Sequence, residues 1–158
     1  KSVFGQALTI VKDRIGKNSK EKWQATADDL SYFSLELLNG GLANVFMSGV
    51  VSHSLGNKTQ IFGSEGTIIL EDKTEEILFA KKGEDFKKLF FEDPNASLDG
   101  VNKGIWNISV VSLLEELTSA IKENRSLNEG STFEDGLKNQ LVVDAVFQST
   151  KERKWIDL

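Results

Sequence analysis

The chain has 158 residues, a length that fits one domain, and its hydrophobic fraction of 39% and charged fraction of 27% are ordinary for a globular protein. Because it contains no cysteine, disulfides, thiolate metal sites and cysteine nucleophiles are excluded, and we expect a reducing, cytoplasmic setting. The net charge of −5 argues against a nucleic-acid partner, and no apolar run approaches the roughly 20 residues of a membrane span, so we expect no membrane association.

The N-terminal part predicts β-strands interrupted by one charged stretch. A short apolar run at 7–11 favours a strand. The stretch at 12–22 holds two acidic residues among five basic ones, which are Lys12, Arg14, Lys17, Lys20 and Lys22. We interpret this stretch as a flexible, solvated loop, and an arm that contacts phosphate is the alternative.

Two hairpins follow. Polar and apolar residues alternate cleanly at 31–38, and Asn39-Gly40-Gly41 then predicts a tight turn into a return strand at 42–53. A second hairpin is predicted from strands at 59–62 and 67–70, joined by the Gly-Ser-Glu-Gly turn at 63–66. Two further strands are predicted at 75–80 and 86–91, with a polar turn between them.

The C-terminal part predicts helices. Apolar residues recur every three or four positions at 105–122, and a second helix is predicted at 133–149. Ser131 and Glu134 have the spacing of a capping box at its start, and 155–158 is a possible last strand. The order predicts an α+β fold: a mostly antiparallel open sheet of about six strands, with two C-terminal helices packed on one face.

Two helices cover one face of such a sheet and leave the other open. On the return strand, the even positions carry Leu42, Phe46 and Val50, separated by Asn44 and Ser48. Apolar residues interleaved with small polar ones are typical of a protein–protein interface. We therefore expect a homo-oligomer that forms through this sheet face. The alternative is a third element covering it, for instance the N-terminal segment.

The inventory of chemically active side chains is small. His53 is the only histidine, so a metal site of several histidines is excluded, and no Gly-x-Ser-x-Gly elbow supports a catalytic serine. Asp28 and Asp29 form an acidic pair, for which turn or loop capping is favoured over acid–base chemistry, because neighbouring residues in a strand point to opposite faces. We interpret the three tryptophans, Trp23, Trp106 and Trp155, as core or interface anchors.

Four segments together resemble the C-terminal domain of the glucose–fructose oxidoreductase / inositol dehydrogenase / rhizopine catabolism (Gfo/Idh/MocA) family. In chain order they are Thr26-Ala27-Asp28-Asp29, then Asn39-Gly40-Gly41, then the stretch Ile-Phe-Gly-Ser-Glu-Gly-Thr at 61–67, and lastly Phe133-Glu134-Asp135-Gly136-Leu137 with Asp144-Ala145, Ser149 and Trp155. The likeness covers about 25–158.

The resemblance implies a division of labour in the intact protein. An N-terminal Rossmann domain would bind NAD or NADP, and that domain with the joining helix would supply a lysine and an Asp-x-x-x-His pair for proton transfer. The chain begins at Lys1 rather than Met and contains neither motif. We therefore expect residues 1–158 to be a single C-terminal domain for substrate and oligomer contacts, which lacks the Rossmann domain, carries no catalytic residue and is inactive alone.

The same resemblance implies that residues just before the second hairpin, at 53–57, form part of the substrate wall. His53 and Asn57 offer the donors and acceptors that a hydroxylated small-molecule substrate requires. A purely structural or surface role for His53 is the alternative. Three other functions remain open: a non-catalytic sensor or regulator that binds a ligand and a partner protein, a sheet-and-helix cup for an apolar ligand, and a purely structural assembly domain.

Overall fold

A computed structural model describes residues 1–54, 56–74, 76–90, 94–100, 105–128 and 130–158, and within these ranges the side chains of Pro94, Ala96, Ile105 and Trp106 are outside the description. The chain forms two compact units. One unit combines Lys1–Ser52 with Ser131–Leu158, and the other is His53–Gly130. Antiparallel sheets and two α-helices occur together in the described ranges, which confirms the predicted α+β class.

The first unit contains five strands from the N-terminal half of the chain, one helix and one closing strand. Their bounds are β1 Ser2–Leu8, β2 Asp13–Ile15, β3 Lys22–Gln24, β4 Leu30–Glu36, β5 Leu42–Ser48, α2 Phe133–Glu152 and β10 Ile156–Asp157. The second unit contains β6 Lys58–Phe62, β7 Gly66–Glu71, β8 Glu76–Lys81, β9 Lys87–Leu89, a 3-10 turn at Pro94–Ser97 and α1 Ile105–Glu123.

The main sheet of the first unit has the order β10-β1-β4-β5, and every described pair in it is antiparallel. Helix α2 packs on the face that carries the odd-numbered residues of β1 and β4. The buried core of this unit consists of Val3, Ala145, Val146 and Ile156, with the partly buried Ala7, Phe33 and Leu35 packed against it. Burial of these apolar side chains is the main stabilising term for the unit.

Strand β1 is completed on its outer edge by side chains of helix α2. The closing strand β10 pairs only with Ser2 and Val3. Beyond it, the Gly5 N–H donates to the Ser149 hydroxyl at 3.1 Å, and the Ala7 N–H donates to the Thr150 hydroxyl at 2.9 Å. The two hydroxyls therefore satisfy backbone donors that a longer β10 would otherwise have paired.

Gly5 is required where β1 passes closest to β4. A Cβ built at this position would lie 2.3 Å from the Phe33 Cβ and 2.5 Å from the Tyr32 carbonyl oxygen. Because both atoms belong to a paired strand, neither can move away cheaply, and only glycine fits.

The start of helix α2 differs by one residue from the predicted capping box. The N-cap is Thr132 rather than Ser131: the Asp135 N–H donates to the Thr132 hydroxyl at 3.3 Å. In return, the Thr132 N–H donates to the Asp135 carboxylate at 2.9 Å. The box is thus built from Thr132 and Asp135, and Glu134 instead pairs with Lys138.

The stretch predicted as a flexible loop is a β-hairpin. Strands β2 and β3 pair antiparallel, with Arg14 opposite Trp23, as a two-stranded sheet of their own. The turn between them is closed by hydrogen bonds from the Gly16 N–H to the Glu21 carbonyl at 2.9 Å and from the Lys20 N–H to the Gly16 carbonyl at 3.0 Å. Each strand has only three residues, two of them polar, and shows no apolar alternation, which is why the pattern did not predict it.

The sheet of the second unit has the order β6-β7-β8-β9 and is antiparallel throughout its described pairs.

Within this unit, Asn95 of the 3-10 turn is buried, and its side-chain N–H groups donate to Ser112 at 3.0 Å and to Glu115 at 3.1 Å on helix α1. The Arg125 guanidinium bonds Glu116 at 2.8 Å and Glu123 at 2.6 Å, which fixes the chain where the helix ends.

The sheet layout differs from the prediction in two respects. The described strands form two four-stranded sheets and one two-stranded sheet instead of a single sheet of about six strands. Helix α2 packs on β1 of the first unit, whereas α1 belongs to the second unit. The N-terminal segment is a strand within the first sheet, so the alternative that it covers the open face is wrong. Neither described helix is long and apolar enough to cross a bilayer.

Candidate functional site

The predicted substrate wall lies between strands β5 and β6. His53 is exposed in a bend after β5, and Asn57 directly precedes β6. Leu55, between them, lies outside the described residues. Among the described residues, no hydrogen bond joins His53 to Asn57. The structure therefore places the two predicted residues on one short segment without bringing their side chains together.

The side chain of Asn57 is engaged with Asp72. The Asn57 backbone N–H donates to one oxygen of the Asp72 carboxylate at 2.7 Å, and the Asn57 side-chain N–H donates to the other at 2.6 Å. The Asp72 N–H returns a bond of 3.1 Å to the Asn57 carbonyl. This three-bond contact closes the base of the β6–β7 hairpin, so one N–H of the Asn57 side-chain amide has a structural role.

Gly56 is adapted to the same contact. Its φ is +90°, a left-handed conformation that glycine adopts without strain. A Cβ at this position would lie 2.4 Å from the Asp72 Oδ1. The Gly56-Asn57 dipeptide is thus shaped to receive the Asp72 carboxylate.

Asp72 was missed from the sequence, although a signal for it was present. Strands β6 and β7 are in a register that pairs Lys58 with Glu71 and Phe62 with Thr67. The same hairpin was predicted from its turn, and one further step of that register places Asn57 opposite Asp72. An amide opposite a carboxylate is a natural hydrogen-bonded pair across two strands.

The turn of this hairpin borders an open depression of about 580 Å³ within the second unit. Its walls are apolar at Ile61, Ile68 and Phe79, and its rim carries Lys81, Lys82, Glu65 and Glu84. The mixed charges give the depression no preference for an anion or a cation. No group of three or more His, Asp or Glu side chains among the described residues is arranged to hold a metal ion.

Asp29 caps a loop, as predicted for one member of the Asp28–Asp29 pair. Its carboxylate accepts hydrogen bonds from the Ile10 N–H at 2.7 Å and the Val11 N–H at 3.0 Å. The Arg14 guanidinium donates a third bond at 2.7 Å, and the Asp29 side chain is only 6% exposed. These contacts, the Ile10 N–H foremost, hold the pKa of Asp29 below its usual value. A carboxylate that already accepts hydrogen bonds from Ile10, Val11 and Arg14 is a poor general base.

The structure describes the side chains of two of the three tryptophans, Trp23 and Trp155. Trp155 is half exposed and packs against Phe4 with ring centroids 5.7 Å apart, so it anchors the end of the chain to β1. Trp23 is half exposed on the hairpin, where it is not a core residue. The side chain of Trp106 lies outside the described part of the chain.

The fold and the ordered segments together point to one protein family. A family model described as the oxidoreductase family C-terminal alpha/beta domain, of the Gfo/Idh/MocA group, matches residues 1–158. The chain belongs to the Gfo/Idh/MocA oxidoreductase family. The resemblance inferred from the four sequence segments is thereby confirmed.

Gfo/Idh/MocA relatives extend well beyond the length of this chain. Glucose-fructose oxidoreductase domain-containing protein 2 of Xenopus tropicalis is 22% identical over 144 residues, which cover 82% of this chain and 37% of that protein. Its counterpart from Xenopus laevis is 22% identical over 145 residues, with the same coverage. The chain therefore spans little more than a third of these curated relatives.

Solved structures show the same fold at low sequence identity. Levoglucosan dehydrogenase in complex with NADH and L-sorbose superposes with a TM-score of 0.81 at 20% identity, over 99% of this chain and 44% of that one. Aldose-aldose oxidoreductase from Caulobacter crescentus, complexed with glycerol, gives a TM-score of 0.67 at 18% identity, over 99% of this chain and 41% of that one. At these identities the likeness establishes the Gfo/Idh/MocA C-terminal fold.

Proposed function

We propose that this chain is the C-terminal domain of an NAD(P)-dependent oxidoreductase that acts on a sugar, a polyol or a related hydroxylated small molecule. The observation that carries the proposal is the match of the family model to residues 1–158. Further support comes from the fold shared with levoglucosan dehydrogenase, which was solved with NADH and L-sorbose. The absence of cysteine is in keeping with a cytoplasmic enzyme.

In this proposal the chain supplies binding surfaces, and its own Rossmann domain supplies the chemistry. The cofactor, NAD or NADP, binds to the Rossmann domain, which is joined to this chain in the intact protein. The chain holds a single histidine, and the Asp29 carboxylate is engaged by the backbone N–H groups of Ile10 and Val11 and by Arg14. Residues 1–158 are accordingly inactive on their own, and no catalytic residue is assigned to them.

The substrate contact is assigned to His53 and Asn57. His53 is exposed, and its imidazole both donates and accepts hydrogen bonds, as substrate hydroxyls require. Asn57 contributes its side-chain carbonyl and its second amide N–H, because the first N–H donates to Asp72. His53 is therefore the residue to test, since replacing Asn57 would also open the base of the β6–β7 hairpin.

The test is steady-state kinetics of His53→Ala in the intact protein, with a panel of sugars and polyols and with NAD or NADP as the cofactor. Loss of a binding contact that is equal in the ground and transition states raises KM and leaves kcat near its original value. We expect KM to rise roughly 10-fold, which corresponds to one hydrogen bond of ordinary strength. Lys122→Ala, an exposed change on helix α1 of the same unit, is the control. Unchanged KM in His53→Ala would remove His53 from the substrate wall.

The proposal also includes a homo-oligomer that forms through the open face of the first sheet. Helix α2 covers the odd-numbered face, and the opposite face of β5 leaves Leu42 74% and Phe46 66% exposed. Tyr32, directly opposite Phe46 on β4, extends this apolar surface. Exposed aromatic and aliphatic side chains that share one face of β4 and β5 support an interface with a second subunit.

A further inference from the structure

The turn between β4 and β5 contains the only asparagine of the chain that a glycine follows. The sequence has ten asparagines, and the residue after Asn39 is Gly40. The backbone nitrogen of the next residue can attack the side-chain carbonyl carbon of an asparagine, and a Cβ on that next residue hinders the attack. Because glycine has no Cβ, the attack is least hindered at Asn39.

This turn is open to water. Asn39 and Gly40 are both exposed, and the preceding Leu38 is 90% exposed. A Cβ built at Gly40 would meet no described atom within 4 Å beyond its two chain neighbours. Water therefore reaches both residues of the pair.

The turn itself orients the Asn39 side chain. The Gly41 N–H donates a hydrogen bond to the Asn39 Oδ1 at 3.1 Å. Attack on the Asn39 Cγ moves negative charge onto this same oxygen, and an N–H aimed at it stabilises that charge. By contrast, the amide nitrogens of Asn57 and Asn95, which would leave in such a reaction, donate to neighbouring side chains.

One hydrogen bond opposes the attack. The Gly40 N–H donates to the Leu37 carbonyl at 3.1 Å, and the Leu37 N–H donates to the Gly41 carbonyl at 2.9 Å. The first of these bonds holds the attacking nitrogen, so the reaction requires it to open. Opening costs little at the exposed tip of a hairpin, where few buried contacts hold the backbone. The folded turn therefore slows the attack without preventing it.

We propose that Asn39 is a site of spontaneous deamidation, which modifies the β4–β5 turn as the protein ages. The Gly40 nitrogen loses its proton to solvent and forms a bond to the Asn39 Cγ, while the bond from Cγ to Nδ2 breaks and ammonia leaves. Water then opens the resulting succinimide ring at either of its two carbonyls, which gives aspartate or isoaspartate at position 39. The net change is the gain of one water and the loss of one ammonia, so the reaction needs no oxidant or reductant.

The isoaspartate product alters the turn more than aspartate does. In isoaspartate the backbone runs through the side chain, which adds one methylene to the main chain between Asn39 and Gly40. The hydrogen bonds that join Leu37 to Gly40 and Gly41 then lose their geometry, and the hairpin is weakened. Both products add one negative charge to a chain whose net charge is −5. This modification does not depend on the oxidoreductase function proposed above.

The test is peptide mapping by mass spectrometry of the full chain, kept folded at mildly alkaline pH. Asn39 should gain the mass difference between an amide and an acid at least about 10-fold faster than Asn124, which is also exposed but is followed by Arg125. The same peptide should become a substrate for an isoaspartyl methyltransferase. Asn39→Gln should show no mass gain at this position, because its longer side chain closes a larger ring.

Thermal unfolding separates the added charge from the altered backbone. The incubated wild type should contain a fraction that unfolds at a lower temperature, whereas Asn39→Gln incubated in the same way should keep its original unfolding temperature. Freshly purified Asn39→Asp, which has the charge and a normal backbone, should unfold close to the fresh wild type. The inference is overturned if Asn39 reacts no faster than Asn124 in the folded chain, or if it reacts only after the chain is unfolded in urea.

Discussion

Ser149 is the residue on which three segments of the first unit converge. Its side chain is fully buried, and its hydroxyl accepts from the Gly5 N–H at 3.1 Å and donates to the Lys154 carbonyl at 2.7 Å. Ser149→Ala removes the acceptor of the buried Gly5 N–H and the donor to the Lys154 carbonyl. We expect a loss of about 1–3 kcal/mol in the free energy of unfolding, measured by urea denaturation.

The control for this change is Ser64→Ala, in the exposed turn between β6 and β7. It should change the free energy of unfolding by less than about 0.5 kcal/mol. If Ser149→Ala is as stable as this control, the hydroxyl does not hold helix α2 to strand β1 and to the chain at Lys154.

At the residue scale, the sequence predicted which residues are structurally important better than it predicted their hydrogen-bond partners. The family resemblance included Ser149, and the acidic pair was correctly interpreted as loop capping, which Asp29 provides. The partner of Asn57 was not predicted, because periodicity assigns a residue to a face and does not say which polar atom lies opposite. Whether His53 contacts a substrate stays a prediction.

At the scale of single elements, the start of helix α2 offers a test with a built-in comparison. The structure assigns the N-cap to Thr132, whereas the sequence pattern predicts Ser131. Thr132→Ala should lower the free energy of unfolding by about 0.5–2 kcal/mol, because the Asp135 N–H loses its acceptor. Ser131→Ala should lie within about 0.5 kcal/mol of the wild type. Chemical denaturation followed by circular dichroism measures both, and equal losses would contradict the assigned cap.

The elements that the sequence predicted well are those with buried faces. Strand β4 and helix α2 were predicted within three residues at each end, because one face of each meets a core that imposes period two or period 3.6. Strands β2 and β3 were missed for the opposite reason. They are held by backbone pairing and by the ion pair between Asp29 and Arg14. Neither kind of contact leaves an apolar pattern in the sequence.

At the scale of the whole molecule, the fold class could be predicted and the sheet layout could not. Local patterns gave the hairpins β4–β5 and β6–β7, whose strands are neighbours in sequence. The pairing of β1 with β4 and with β10 joins segments far apart in the chain. No local pattern specifies such partners, because many strands present similar edges.

The proposed sheet-face interface can be tested by Phe46→Ser. Removing a large exposed aromatic from the centre of an interface costs most of the energy that such a residue supplies, so we expect association to weaken at least 10-fold. Light scattering coupled to size-exclusion chromatography measures the mass. Phe62→Ser, at a comparably exposed phenylalanine of β6, is the control and should leave the mass unchanged. A monomeric wild-type protein would contradict the interface.

The hydroxyls that complete strand β1 have a consequence for synthesis on the ribosome. The hydrogen bond between Gly5 and Ser149 joins residues 144 positions apart. Strand β1 therefore waits, with part of one edge unpaired, until residues 149 and 150 have been translated. Long-range pairing of this kind slows folding and exposes unpaired strand edges in the meantime. Strand β1 is thus made long before its pairing is finished, and nascent chains stalled before residue 149 should be dependent on chaperones.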